Sequence, residues 1–120
     1  MGDEIQTMTM FVRGFRLSDA IPEMEDDLTK AIAYGQRVGE LVNEAERDYR
    51  VKFAEALNEL GAMDEETETT RKAKLEAMTA DARFLWQNLK NLNSHLKATR
   101  MSLMQAIKTR RDEPRSYHGA

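Results

Sequence analysis

Apolar residues recur at alternating spacings of three and four along the second half of the chain: Leu75, Met78, Ala82, Leu85, Leu89, Leu92, Leu96, Thr99, Leu103 and Ala106. A repeat sustained that long specifies a helix packed lengthwise on another long helix. The first half carries a matching stripe of Leu28, Ala31, Gly35, Val38, Val42, Ala45, Tyr49, Lys52 and Ala56, widened by Ile32, Gly39, Phe53 and Leu60. Pro22 suits a first helical turn, and Glu23, Glu25, Asp26 and Asp27 behind it complement the helix dipole. Gly61 suits a stop through the left-handed conformation, and Asp64 or Thr67 can cap the second helix. The pattern predicts helices over about 22–60 and 65–111, joined so tightly that they fold back antiparallel. The fold class expected is all-α: a long, coiled-coil-like antiparallel helical hairpin.

The same stripes nominate helix-interface residues: Gly35, Gly39, Val42 and Tyr49 on the first helix, and Leu85, Leu89, Leu92, Leu96 and Leu103 on the second. Gly35 and Gly39 each cost about 1 kcal/mol of helix propensity, so a neighbouring helix is expected to approach their backbone closely, the alternative being that they only soften the helix or mark a bend. Off the seam lie Ala77, Phe84, Trp86, Met101, Met104 and Ile107, with Leu41, Val51 and Leu57 on the first helix. One hairpin cannot cover all of them. Self-association into a four-helix bundle, a homodimer, is the economical solution, and a third short element from the N-terminus could cover the same surface instead.

Residues 1–21 read as an N-terminal arm. Met8, Met10 and Val12 alternate with Thr7, Thr9 and Phe11, a two-residue period that suits an edge strand, a swapped arm or an extended peptide, while a short helix over Ser18–Ile21 also fits. Residues 22–113 form the hairpin domain, and residues 114–120, opening with Pro114, are expected to be a flexible tail.

Composition narrows the function classes. With 41% hydrophobic and 32% charged residues the chain is soluble and helix-compatible, and no apolar run approaches the length of a membrane span. The absence of cysteine excludes disulfides and thiolate chemistry, and the acidic start Met1-Gly2-Asp3-Glu4 lacks the positive charge of a signal peptide, so a cytoplasmic location is expected. The net charge of −3 conceals a gradient: residues 83–120 hold eight basic and two acidic groups. Glu23, Asp26 and Asp27 would meet Lys108, Arg110 and Arg111 across an antiparallel hairpin, which accounts for part of that gradient. The remainder makes Lys97, Arg100, Lys108, Arg110 and Arg111 candidate contacts to nucleic-acid phosphates.

Catalytic chemistry finds no foothold. The glycines are too dispersed for a nucleotide fingerprint, and neither His95 nor His118 has a second histidine at metal-ligand spacing. Glu40 with Glu44 and Glu55 with Glu59 are four apart but lack the Glu-x-x-His pattern of two-metal bundles, so they read as a solvated face. No enzyme activity, cofactor or metal is expected.

Several segments carry a resemblance. Ala45-Glu46-Arg47-Asp48-Tyr49-Arg50, the turn at Gly61, Leu89-Lys90-Asn91-Leu92 and the run from His95 to Ser102, with Arg100 and Ser102 as an Arg-x-Ser segment, resemble small helical-hairpin accessory proteins of bacteriophages and prophages. The resemblance spans roughly residues 28–113 and implies a non-enzymatic role. Two functions arise as expectations: a dimeric scaffold or adaptor that binds another protein, including a host-factor inhibitor, or an accessory nucleic-acid-binding protein in phage replication or recombination.

Overall fold

The computed structural model describes residues 2–61 and 67–118, with side chains to Asp112. It contains three helices: α1 (Gly2–Gly14), α2 (Ile21–Gly61) and α3 (Glu68–His118), of which the long α2 and α3 pack antiparallel. The all-α hairpin expected from the apolar repeat is therefore present.

The arm is not a strand. α1 is helical because its larger apolar side chains also satisfy a helical spacing: Met8 is buried, Phe11 and Val12, three and four residues on, are half-buried, and Phe15 just beyond the helix is half-buried too. Met10, which the alternating reading pairs with Met8, is 65% exposed. The β-branched residues that suggested a strand are accommodated by back-bonding. The hydroxyls of Thr7 and Thr9 donate to the carbonyls of Asp3 and Ile5, four residues earlier, at 2.9 and 2.7 Å. Asp3 and Glu4 in the first turn and Arg13 in the last complement the helix dipole.

α2 begins as expected, with Pro22 in its first turn. The Ser18 hydroxyl accepts the Ala20 N–H and donates to the Glu23 carboxylate, so the residues before the helix satisfy its entry. α2 ends at Gly61, yet no described glycine has a positive φ, so a left-handed stop at that residue is not what closes the helix. Instead the Arg71 guanidinium, from the first turn of α3, donates to the Leu60 carbonyl at 3.0 Å and satisfies one of the orphan acceptors at the helix end. Thr67 caps α3: its hydroxyl accepts the Thr70 N–H, and its carbonyl takes the first helical bond from Arg71. Asp64, the alternative cap, lies outside the described residues. α3 passes the expected end near Arg111 and runs through Pro114 to His118. A proline removes one N–H bond but keeps a helical φ, so the helix can continue at a cost.

The chain divides into two compact units, Met1–Val38 with Leu92–Ala120, and Gly39–Asn91. The first is a three-helix arrangement. Met24, Ala31, Leu103 and Ile107 are its buried centre, with Phe11, Phe15, Ile21, Leu28 and Ala106 packed against them. α1 is held near its start by a two-pronged ion pair, Glu4 with Arg37 at 2.8 and 2.9 Å, and Phe11 also meets Tyr34 edge-on.

The second unit has only α2 and α3. Leu41, Ala45, Ala56 and Leu60 are buried on one side and Thr79, Ala82 and Leu89 on the other. Here the seam departs from expectation by one residue. Met78 and Leu85 are 45% and 36% exposed, and Thr79 and Trp86 take their inward places. Both rows flank the shared row of Leu75, Ala82 and Leu89, so the heptad spacing permits either. Trp86 decides it, stacking on Tyr49 with ring centroids 5.4 Å apart and planes 25° apart. Its indole removes more apolar area from water than a leucine does.

Candidate interaction surfaces

Large apolar side chains remain exposed in both units. Met10, Leu17, Ile32, Met101 and Met104 are exposed in the three-helix unit, and Val51, Leu57, Met78, Phe84 and Leu85 in the two-helix unit. The surplus read from the sequence is thus largely real, with three exceptions: Leu41 and Ile107 are buried, and Trp86 is half-buried.

An aromatic group lies on the two-helix unit. Tyr49 sits between Phe53, at 6.0 Å, and the stacked Trp86, and these three with Arg50 line a hollow of about 400 Å³. The Lys90 ammonium lies 4.1 Å from the Trp86 ring centroid, and the Arg83 guanidinium lies over Phe84 at 5.5 Å. Cations against ring faces are attracted by the ring quadrupole, so both residues lend charge to apolar surface. The Trp86 indole Nε1 is buried without a hydrogen-bond partner among the described residues. Trp86 belonged to the off-seam surplus in the sequence. Its pairing with Tyr49 was hidden because the leucine count favoured the neighbouring row.

The nominated interface residues separate into groups. Leu89, Leu92, Leu96 and Leu103 are buried, Val42 and Tyr49 are half-buried, and Leu85 faces outward. Gly35 and Gly39 are half-buried, but a Cβ at either position would meet nothing within 4 Å. Close approach by another helix of the same chain therefore does not explain them. Gly35 instead lines a groove of about 230 Å³ between α2 and α3, with Ala31, Ile32, Gln36, Asn93, Leu96, Lys97 and Arg100.

The nominated basic residues also divide. Arg110 donates to the Asp19 carbonyl at 3.0 Å and lies 3.9 Å from its carboxylate, and Arg111 pairs with Glu25 at 2.7 Å. The acidic start and basic end do meet, with Asp19 and Glu25 as the acidic partners of Arg110 and Arg111. Glu23 instead accepts from the Ser18 hydroxyl. Lys97 and Arg100 line the groove, and Lys108 is exposed. Arg100 and Ser102 open onto different hollows. Ser102 lines a shallow one of about 740 Å³ with Leu17, Met24, Met101 and Arg110.

The Glu4 carboxyl is held below its ordinary range, chiefly by its hydrogen bond to Arg37; desolvation opposes this, and that cation's charge adds to the lowering. Among the described residues no group of three or more His, Asp or Glu side chains is placed to hold a metal, and no helix is long and apolar enough to cross a membrane. Comparison with protein-family models, with curated proteins and with solved structures gives no match.

Proposed function

We propose that this protein is a non-enzymatic helical scaffold or adaptor of the cytoplasm, acting as a homodimer and presenting further faces to another protein. The observation that carries this reading is the apolar surface left on the two-helix unit. Val51, Leu57, Met78, Phe84 and Leu85 stay exposed on a unit whose own seam is partly alanine, at Ala45, Ala56 and Ala82. A two-helix layer is marginal alone, and a second copy would supply the missing layer of a four-helix bundle. A phage accessory or host-factor inhibitor belongs to this class.

Sedimentation equilibrium across about 1–100 μM, a range where dimers of ordinary strength dissociate, tests the dimer. A reversible monomer–dimer transition is expected, weakened by Phe84→Ser with Leu57→Ser. A fully helical monomer throughout that range would refute the dimer.

A second reading, accessory nucleic-acid binding, draws on Lys97, Arg100 and Lys108. It is weakened by the engagement of Arg110 with Asp19 and of Arg111 with Glu25. Salt-sensitive duplex binding that falls on neutralising Lys97, Arg100 and Lys108 would favour it.

A further inference from the structure

α3 carries no acidic residue between Asp81 and Asp112, while seven lysines and arginines lie in that interval. Most have an occupation within the chain. Arg83 and Lys90 lie against aromatic rings, and Arg110 and Arg111 are bonded to the residues around the start of α2. Lys97 and Arg100 differ. They are three apart on one helix face, both line the groove beside Gly35, and among the described residues neither meets a carboxylate. The other polar groups lining the groove are the amides of Gln36 and Asn93, its floor includes buried Ala31 and Leu96, and no acid contributes to it.

The groove is apolar at one margin. Ile32 lines it and is 40% exposed. Met104, four residues beyond Arg100 and seven beyond Lys97, continues the same face of α3 and is exposed. Gly35 keeps the groove open: any side chain there would occupy space that is now empty.

We propose that this groove docks an acidic amphipathic helix of a partner protein. Glutamates or aspartates three or four apart on that helix meet Lys97 and Arg100, while its apolar stripe covers Ile32 and Met104. Cations three apart on a helix are near neighbours, and so are carboxylates at the same spacing on a partner. A second copy docking groove to groove would bring four cations together with no carboxylate among the lining residues, so this face is not the dimer seam. A nucleic-acid backbone matches the two cations but not the apolar margin. The proposal rests on the adaptor reading and names the partner's chemistry.

The test uses the full chain and a fluorescent, capped model helix bearing one leucine stripe flanked by glutamates, beside an otherwise identical helix bearing glutamines. Anisotropy titrations are expected to show the glutamate helix binding about tenfold or more tighter than the glutamine helix, an advantage that shrinks as salt screens it. Lys97→Gln with Arg100→Gln should remove that advantage. Gly35→Leu should abolish binding while circular dichroism shows the helices intact. Equal affinity for the two helices, unchanged affinity in the variants, or displacement of the peptide by a short DNA duplex at lower concentration would each overturn the proposal. Such a failure is separate from failure of the scaffold, because sedimentation of the chain alone reads the dimer and not the groove.

Discussion

Trp86 and Leu85 are adjacent, both large and both apolar, and the helix turns Trp86 inward and leaves Leu85 the more exposed of the two. The difference has a measurable consequence. Trp86→Ala removes a half-buried indole and its stack on Tyr49, and should destabilise the protein by about 2–3 kcal/mol, below the range for a fully buried tryptophan. Leu85→Ala should cost less, about 1 kcal/mol, because the leucine keeps 36% of its surface in water and has no ring stack to lose. Chemical denaturation of both variants checks the order, and a larger loss at Leu85 would restore the seam read from the sequence. Gly35 gives the opposite sign. A Cβ there meets open space, so Gly35→Ala should stabilise the helix by about 1 kcal/mol, seen as a melting temperature a few degrees higher. A glycine that lowers stability with no packing reason in its own chain is best explained by something outside the chain that uses the space.

α1 shows where sequence patterning reaches its limit. The long helices were legible because a heptad repeat accumulates over many turns, and their antiparallel pairing followed from the short connection at Gly61. A helix of thirteen residues offers three or four turns, and over Met8–Phe15 the two-residue and helical spacings share Met8 and Val12. Only the tertiary position of Phe11 and Phe15, against Leu103 and Ile107, separates them. The 78/85 row read from spacing gives way to 79/86 for the same reason, because the outcome depends on what lies opposite in Tyr49. The groove was half legible: its cations were nominated from charge, but its wall at Gly35 was assigned to helix contact. Docking of α1 is also titratable. The folded Glu4 carboxyl has a lowered pKa, so its stabilising bond to Arg37 is complete above the ordinary carboxylate range and is lost as pH falls through the lowered folded value. Glu4→Gln should therefore reduce thermal stability at neutral pH, and the gap between variant and parent should close at low pH. A gap that persists in acid would show that the carboxylate's charge is not what holds α1.

Both long helices run through the two units, yet the units offer them different shelter. In the three-helix unit α1 covers part of α2 and α3, and Met24, Leu103 and Val38 are almost wholly removed from water. In the two-helix unit three alanines contribute to the seam, and five large apolar residues of α2 and α3 are exposed, against three, Ile32, Met101 and Met104, in the other. Amide protection follows local burial, so exchange should be faster over 43–60 and 75–89 than over 24–38 and 96–107 in dilute protein. If the exposed face of the two-helix unit is where copies meet, protection of its amides must rise with protein concentration, because association stabilises only the segments it covers. Hydrogen exchange read by mass spectrometry at low and high micromolar protein distinguishes the possibilities by segment. Concentration-dependent protection confined to 43–60 and 75–89 is expected. The same gain over the three-helix unit alone would move the dimer seam to that unit. No gain anywhere would leave the outward apolar residues to a different protein.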